Sequence, residues 1–84
     1  MTCREELLNC AKEITREKGE NRFTVHELVS RMQKNGTQYR VSTIRTHISS
    51  RMCADSPKHH AVKYDDFQRT SKGVYVLLEG WRTD

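Results

Sequence analysis

Apolar residues recur at helical spacing in three stretches of the chain, and the first lies between residues 7 and 14. Thr2 and Glu5 precede it at the spacing of a capping box, in which each side chain accepts a hydrogen bond from the other residue's backbone amide. Gly19 follows, and glycine ends helices readily because it adopts the left-handed conformation at little cost. The pattern predicts a helix from about residue 3 to residue 18.

A second helical pattern covers residues 25–34. Thr24 and Glu27 have the capping-box spacing at its start, and Asn35-Gly36 is a typical helix end. Phe23-Thr24, at the cap, is typical of a short extended segment. We therefore predict a short strand that leads directly into a second helix.

The third helical pattern depends on Ile44, Ile48 and Met52, which are four residues apart and so share one side of a helix. Ser42 is the expected N-cap, because its hydroxyl can accept a hydrogen bond from an unpaired amide of the first turn. Residues 37–41 would form the turn before it. The opposite, outer face carries short polar side chains, namely Thr43, Thr46, Ser49, Ser50 and Cys53.

The C-terminal part of the chain predicts a β-hairpin. Residues 67–70 and 74–78 are typical of strands, and the basic segment 71–73 between them is a tight turn. Residues 54–60 are typical of a loop, and 61–66 match no element clearly. The core candidates of the whole chain are Leu7, Leu8, Ile14, Phe23, Val25, Leu28, Val29, Ile44, Ile48, Val74, Val76 and Leu78.

This order of elements predicts an α+β winged helix-turn-helix domain, with three helices and a C-terminal β-hairpin wing. Phe23-Thr24 would add a third strand beside the hairpin. Eighty-four residues suffice for one domain with one small core. We expect a single domain over residues 1–84, with its core over about 3–78 and a tail at 79–84.

Positive charge is concentrated in one part of the chain. The formal net charge is +4; residues 1–39 carry a net +1, residues 40–72 a net +4 and residues 73–84 a net −1. Such an excess on the third helix and the segment after it favours a polyanionic partner, because each neutralised phosphate releases counterions. A solvated basic surface is the alternative. A lipid surface fits less well, since no segment pairs bulky apolar residues with a lysine-rich face.

The cysteines and the termini indicate a compartment. Cys3, Cys10 and Cys53 are an odd number and do not form a disulfide framework. No segment has the length and apolarity of a membrane span, and the N-terminus does not resemble a signal peptide. We expect reduced thiols, a cytoplasmic and nucleoid-associated location, and no membrane partner.

The outer face of the third helix and the hairpin tip supply the candidate DNA contacts. Arg45 could offer its guanidinium fork to guanine, and Lys72 at the tip suits a phosphate. The residues expected at base edges or nearby phosphates are Ser42, Thr43, Arg45, Thr46, His47 and Ser50. The expected phosphate anchors are Arg40, Lys58, Arg69 and Lys72. For the helix taken alone, an ordinary solvated face remains the alternative.

Metal binding and catalysis are not expected. Cys53, His59 and His60, with His47 on the preceding helix, lack the paired spacing of zinc ligands. Asp65-Asp66 are adjacent, so in a strand they would point to opposite faces and not converge on one ion. A thiol such as Cys53 has no base assigned to it by the sequence. We therefore expect no metal, no cofactor and no enzymatic activity.

The run from Ser42 to Cys53, together with Asp66-Phe-Gln-Arg69 and the strand from Gly73 to Leu77, resembles a known family. It is similar to small winged-helix domains of prokaryotic proteins that are often attached to restriction-type endonucleases, over roughly residues 5–78. The resemblance implies a DNA-reading module tuned to a particular or modified base, such as modified cytosine. Because the chain carries no nuclease segment, it implies a fragment or a stand-alone reader, with a nuclease domain or partner protein supplied separately.

The sequence thus predicts a non-catalytic module for double-stranded DNA, with the third helix in the major groove and the wing on the backbone. The alternative from a different class is a protein-interaction winged helix within a larger complex. Single-stranded nucleic acid and RNA fit less well, because the outer helix face lacks aromatic residues for stacking. Target sequence and oligomeric state are left open.

Overall fold

The computed structural model describes residues 2–53 and 66–78, which form an α+β arrangement of three α-helices and a three-stranded antiparallel sheet. The elements are α1 (Cys3–Lys18), β1 (Phe23–Thr24), α2 (Val25–Lys34), α3 (Val41–Thr46), a π-helical turn (His47–Arg51), β2 (Phe67–Ser71) and β3 (Val74–Leu77). The helices predicted at 3–18 and 25–34 and the short strand before the second are confirmed. The loop expected at 54–60 and the tail expected at 79–84 lie outside the described residues.

Both predicted capping boxes are formed. The Glu5 amide donates to Thr2 Oγ1 at 3.2 Å, and the Thr2 amide donates to Glu5 Oε1 at 3.2 Å. At the start of α2, the Glu27 amide donates to Thr24 Oγ1 at 3.0 Å and the Thr24 amide to Glu27 Oε1 at 2.9 Å. Each box satisfies amides that a helix start would otherwise leave unpaired, so both helices begin at the expected residue.

Charged side chains fasten α1 to α2 on the solvent side. Arg31 donates to both oxygens of Glu17, at 2.8 and 2.7 Å, and also to Glu13 at 3.1 Å. Lys18 donates to Glu27 at 2.7 Å. The hydrogen bond from Arg31 is the main cause that lowers the pKa of Glu17. These carboxylates therefore stabilise the helix pair in their ionised form.

Acid should weaken the fold through these carboxylates. Burial raises the pKa of Glu27, but its hydrogen bonds from Lys18 and Thr24 outweigh burial and leave the pKa below the ordinary value of 4.5. A carboxyl whose pKa is depressed by folding contributes stability at neutral pH, and that contribution is lost as pH falls below 4.5 through the folded pKa. We expect urea unfolding to show falling stability from pH 6 to pH 3, and Glu27→Gln to remove up to about 1 kcal/mol of that change.

The matched control is Glu20→Gln, which removes only an exposed ion pair with Arg22. It should leave the pH dependence of the unfolding free energy close to that of the wild type. If Glu27→Gln also leaves it unchanged, the Glu27 carboxylate does not support the folded state in the way its contacts imply.

Helix α3 begins differently from the prediction. Its N-cap is Arg40, which makes no side-chain capping bond, and Ser42 is the second residue of the helix. The first helical hydrogen bond runs from the Ile44 amide to the Arg40 carbonyl at 3.0 Å. The assignment of Ser42 as N-cap is therefore wrong, because the backbone turns helical one residue before the first residue with a capping side chain.

Cys53 was predicted on the outer face of the third helix, and that prediction is wrong. Its side chain is buried, and its backbone forms a parallel bridge with Phe67. The helical backbone ends before it, and the Met52 carbonyl accepts hydrogen bonds from the Phe67 amide at 2.8 Å and the Asp66 amide at 3.0 Å. These bonds redirect the chain from the end of the helix to the sheet.

Strand β3 is the central strand of the sheet, in the order β1-β3-β2. Phe23 pairs with Tyr75, and Phe67 pairs with Leu77. Side chains of directly paired residues lie on the same face of a sheet, and both phenylalanines are fully buried. The inner face of β3 is therefore the one that carries Tyr75 and Leu77.

The alternation along β3 predicted two faces without indicating the inner one, and the core candidates were taken from the wrong face. Val74 and Val76 are only partly buried, and Leu78 is 45% exposed. The face of β3 that is buried is decided by the aromatic residues that pair with it in β1 and β2. The sequence pattern of β3 alone does not contain this information. The other candidates lie in the core or, as Leu8 and Val25, pack against it.

The hairpin is attached to the N-terminal part of the chain by hydrogen bonds to the hairpin backbone. The Asn21 side chain pairs with Leu77 as a neighbouring peptide would: Nδ2 donates to the Leu77 carbonyl at 2.7 Å, and the Leu77 amide donates to Oδ1 at 2.8 Å. The Val25 amide at the start of α2 donates to the Gly73 carbonyl in the hairpin turn at 3.0 Å. Neither contact was predicted, and together they fix both ends of β3.

Candidate nucleic-acid interface

Helix α3 and the π-helical turn bury one side and expose the other. Ile44, Ile48 and Met52 are fully buried, so the predicted apolar stripe is confirmed. The opposite side is open over the described residues: Ser42, Arg45, Thr46 and Ser49 are exposed, and Thr43 and His47 are partly exposed. Ser50 lies in the π-helical turn, and its side chain is outside the description.

Side chains of this face bond to the helix's own carbonyl groups. Thr46 Oγ1 donates to the Ser42 carbonyl at 2.9 Å, and Ser49 Oγ donates to the Arg45 carbonyl at 2.9 Å. His47 Nδ1 lies 3.1 Å from the Thr43 carbonyl. Such bonds share carbonyl groups with the backbone and commonly bend helices. They accompany a change here from α-helical to π-helical bonding.

A shallow depression lies on the exposed side of α3. It is lined by Ser42, Thr43, Thr46 and His47, which are spaced one helical turn apart in two pairs. The side chains are short and polar, so another surface can approach the helix backbone closely. Sequence reasoning placed Ser49 on the outer face but left it out of the contact set; its exposure, three residues after Thr46, adds it to the same face.

The cations of α3 and the hairpin do not form ion pairs within the described residues. Arg40, Arg45 and Lys72 are exposed and have no carboxylate partner in residues 2–53 and 66–78. Arg69 is exposed, and its Nε donates to the Ser71 carbonyl at 3.4 Å. Lys58, the remaining predicted phosphate anchor, lies outside the described residues. The four described cations, Arg40, Arg45, Arg69 and Lys72, are available to an external anion.

Acidic residues are segregated from this surface. The sequence contains no Asp or Glu from residue 28 to residue 53, or from residue 67 to residue 78. Within the described chain, carboxylates occur on α1, on the turn after it, at the start of α2 and at Asp66. Asp66 is held by Arg4 through two bonds of 2.9 Å. Among residues 2–53 and 66–78, the cations of α3 and the hairpin are therefore not paired with a carboxylate.

The sequence predicted neither a catalytic group nor a metal site. No group of three or more His, Cys, Asp or Glu side chains is placed to hold a metal in residues 2–53 and 66–78. His59, His60 and Asp65 lie outside them. Cys3, Cys10 and Cys53 are all buried. Burial raises the pKa of the Cys3 thiol, and burial is likewise the main cause that raises the pKa of Cys10 to about 11.

A raised thiol pKa opposes formation of the reactive thiolate. Cys3 and Cys10 are therefore packed as small apolar side chains. None of the helices in the described part of the chain has the length and apolarity needed to cross a membrane.

Comparison with known proteins gives one match. No curated protein and no solved structure is significantly similar to the chain. A family model matches residues 2–77, which include every described element from α1 to β3. The chain belongs to the family described as a domain of unknown function, DUF7669.

Proposed function

We propose that the domain is a winged helix-turn-helix module that binds double-stranded DNA without catalysing a reaction. The observation that carries the proposal is the exposed, acid-free face of α3 and the π-helical turn, on a helical segment whose opposite side is anchored by the fully buried Ile44, Ile48 and Met52. A helix with short polar side chains on its open face fits into a major groove about 12 Å wide.

Each part of the domain has a role in this proposal. Helix α2 and helix α3 form the helix-turn-helix, with α3 as recognition helix. Arg45 and the depression around Thr46 contact base edges, while Arg40, Arg69 and the hairpin tip with Lys72 contact phosphates. The order β1-β3-β2, with β2 and β3 joined as a hairpin, supports the assignment of that hairpin as the wing.

The resemblance to domains attached to restriction-type endonucleases extends the proposal to the biological setting. In that setting the domain supplies recognition of a particular or modified base, and a nuclease domain or partner protein supplies cleavage. The experiment for this part compares binding to matched duplexes with and without cytosine modification. Equal affinity for both would remove modified cytosine from the proposal and leave general DNA binding intact.

Substitution of Lys72 and Arg45 separates backbone contacts from base contacts. We expect Lys72→Ala to weaken binding to all duplexes alike, by a few-fold, and to reduce the slope of log Kd against log salt by about one. Arg45→Ala should weaken binding to the preferred sequence by up to about tenfold and relax the preference at one position. Fluorescence anisotropy with labelled duplexes at several salt concentrations measures both effects.

The charge-matched control is Lys12→Ala on α1, which should change neither the affinity nor the salt slope. Binding that ignores ionic strength in the wild type would contradict a phosphate-contacting surface and favour the protein-interaction alternative. That alternative has little support in residues 2–53 and 66–78, whose only large exposed hydrophobic residues, Val41 and Leu78, lie on two different elements.

A further inference from the structure

Two side chains on the exposed face of α3 and the π-helical turn already use their hydrogen-bond donors on carbonyl groups of α3. A carbonyl group can only accept, so the single hydroxyl proton of Thr46 points at the Ser42 carbonyl, 2.9 Å away. By the same rule, the proton of His47 is on Nδ1, which lies 3.1 Å from the Thr43 carbonyl. In the neutral imidazole this leaves Nε2 as an acceptor.

With these protons in use, Thr46 Oγ1 and His47 Nε2 can only accept hydrogen bonds from a partner. Thr46 and His47 line the same depression, and Thr46 is exposed to solvent. Ser42 and Thr43 also line it, and no bond of their hydroxyls is made within the described residues, so these hydroxyls can donate or accept. Arg45, which has only donors, is adjacent in sequence to Thr46.

Resting on the proposed DNA contact of α3, we infer that Thr46 and His47 each accept a hydrogen bond from the exocyclic amino group of a base. In the major groove, cytosine N4 and adenine N6 are donors, whereas guanine presents two acceptors and thymine an acceptor and a methyl group. Each acceptor can receive the one N–H that base pairing leaves free on an amino group, and it does so without disturbing the helix. To contact guanine or thymine as a donor, Thr46 would have to release the Ser42 carbonyl.

The inference thus assigns opposite roles to neighbouring residues. Thr46 and His47 select cytosine or adenine by accepting, and Arg45 selects guanine by donating.

The first test is selection from randomised duplexes with the wild type, Thr46→Val and Thr46→Ser. Valine keeps the branched shape and the methyl group of threonine and removes only the hydroxyl, and the exposed position lets all three proteins fold. We expect the wild type and Thr46→Ser to enrich cytosine or adenine at one position. The preference of Thr46→Val there should fall by about threefold to tenfold, the contribution of one hydrogen bond.

The second test removes the amino group from the DNA. The selected cytosine is replaced by 2-pyrimidinone, or the selected adenine by purine, and wild type and Thr46→Val are titrated against both duplexes. The analogue should weaken the wild type several-fold more than it weakens Thr46→Val, because the cycle isolates the interaction between the two groups. His47→Phe keeps an aromatic ring and loses both nitrogens. The base analogue should likewise weaken DNA binding by this variant less than it weakens binding by the wild type.

The outcomes separate this inference from the proposed function. DNA binding with a sequence preference that Thr46→Val and His47→Phe leave unchanged would overturn the inference while the proposed function stands. Enrichment of thymine or guanine opposite Thr46 would overturn it as well. Absence of binding to any duplex at low salt would overturn the proposed function, and the inference with it.

Discussion

Phe67→Ala is expected to destabilise the domain by about 3–5 kcal/mol, which is the usual cost of deleting a fully buried aromatic side chain. Phe67 is completely buried, and its ring meets Phe23 edge-on with ring centroids 5.0 Å apart. The ring centroids of Phe67 and Tyr75 lie 6.4 Å apart. A domain of this size has a free energy of unfolding on the order of 5–10 kcal/mol, so the variant should be marginally folded at 25 °C. Urea denaturation followed by circular dichroism measures the loss.

Two matched variants test the specificity of that result. Phe67→Leu keeps most of the apolar volume and should cost about 1–2 kcal/mol. Val76→Ala changes a partly buried side chain on the outer face of the same sheet and should cost less than about 1 kcal/mol. An unfolding midpoint of Phe67→Ala equal to that of the wild type would mean that the three aromatic rings do not form the centre of the core.

Asn21→Ala is expected to cost roughly 2–3 kcal/mol, which is large for a turn residue outside the apolar core. The substitution removes both hydrogen bonds between the Asn21 amide and the backbone of Leu77. It leaves an amide and a carbonyl of β3 without their partner in a partly buried position, and unsatisfied backbone groups are costly. Thermal melting and urea denaturation of the purified variant measure the effect.

Asn21→Asp distinguishes the two bonds. An aspartate keeps the acceptor for the Leu77 amide but places a second acceptor against the Leu77 carbonyl, so it should restore little of the lost stability. Gln33→Ala, at an exposed amide on α2, is the control and should change the free energy of unfolding by less than about 0.5 kcal/mol. A small effect of Asn21→Ala would show that water replaces the side-chain amide at the end of the strand.

The helices could be predicted because their ends are specified by neighbouring residues. Thr2 with Glu5 and Thr24 with Glu27 have a spacing that creates two hydrogen bonds at once, and both pairs are formed. Gly19 ends α1 in the left-handed conformation that its position required. These signals are local, so they need no knowledge of the tertiary structure.

Several features that sequence reasoning missed depend on partners distant in the chain. The inner face of β3 is set by Phe23 and Phe67, and the burial of Cys53 is set by its bridge to Phe67. The pairing of Asn21 with Leu77 joins residues 56 positions apart. No periodicity within one segment contains this information.

The candidate DNA-contacting face was predictable in outline for a related reason. The spacing of Ile44, Ile48 and Met52 determines which side of the helix turns inward, and the remaining side is then open by geometry. The hydrogen-bond polarity of that face was not predictable, because it depends on which rotamers Thr46 and His47 adopt toward the helix carbonyls.

The double hydrogen bond at the Met52 carbonyl has a consequence for how this architecture can change over time. It holds the end of the helical segment next to the first residue of β2, although the intervening chain runs from residue 53 to residue 65. The helix end and β2 are thus joined to each other directly, so these bonds set the register of helix and hairpin. A change of chain length between Cys53 and Asp66 is therefore compatible with the same register, because the bonds that fix it lie on either side of that stretch.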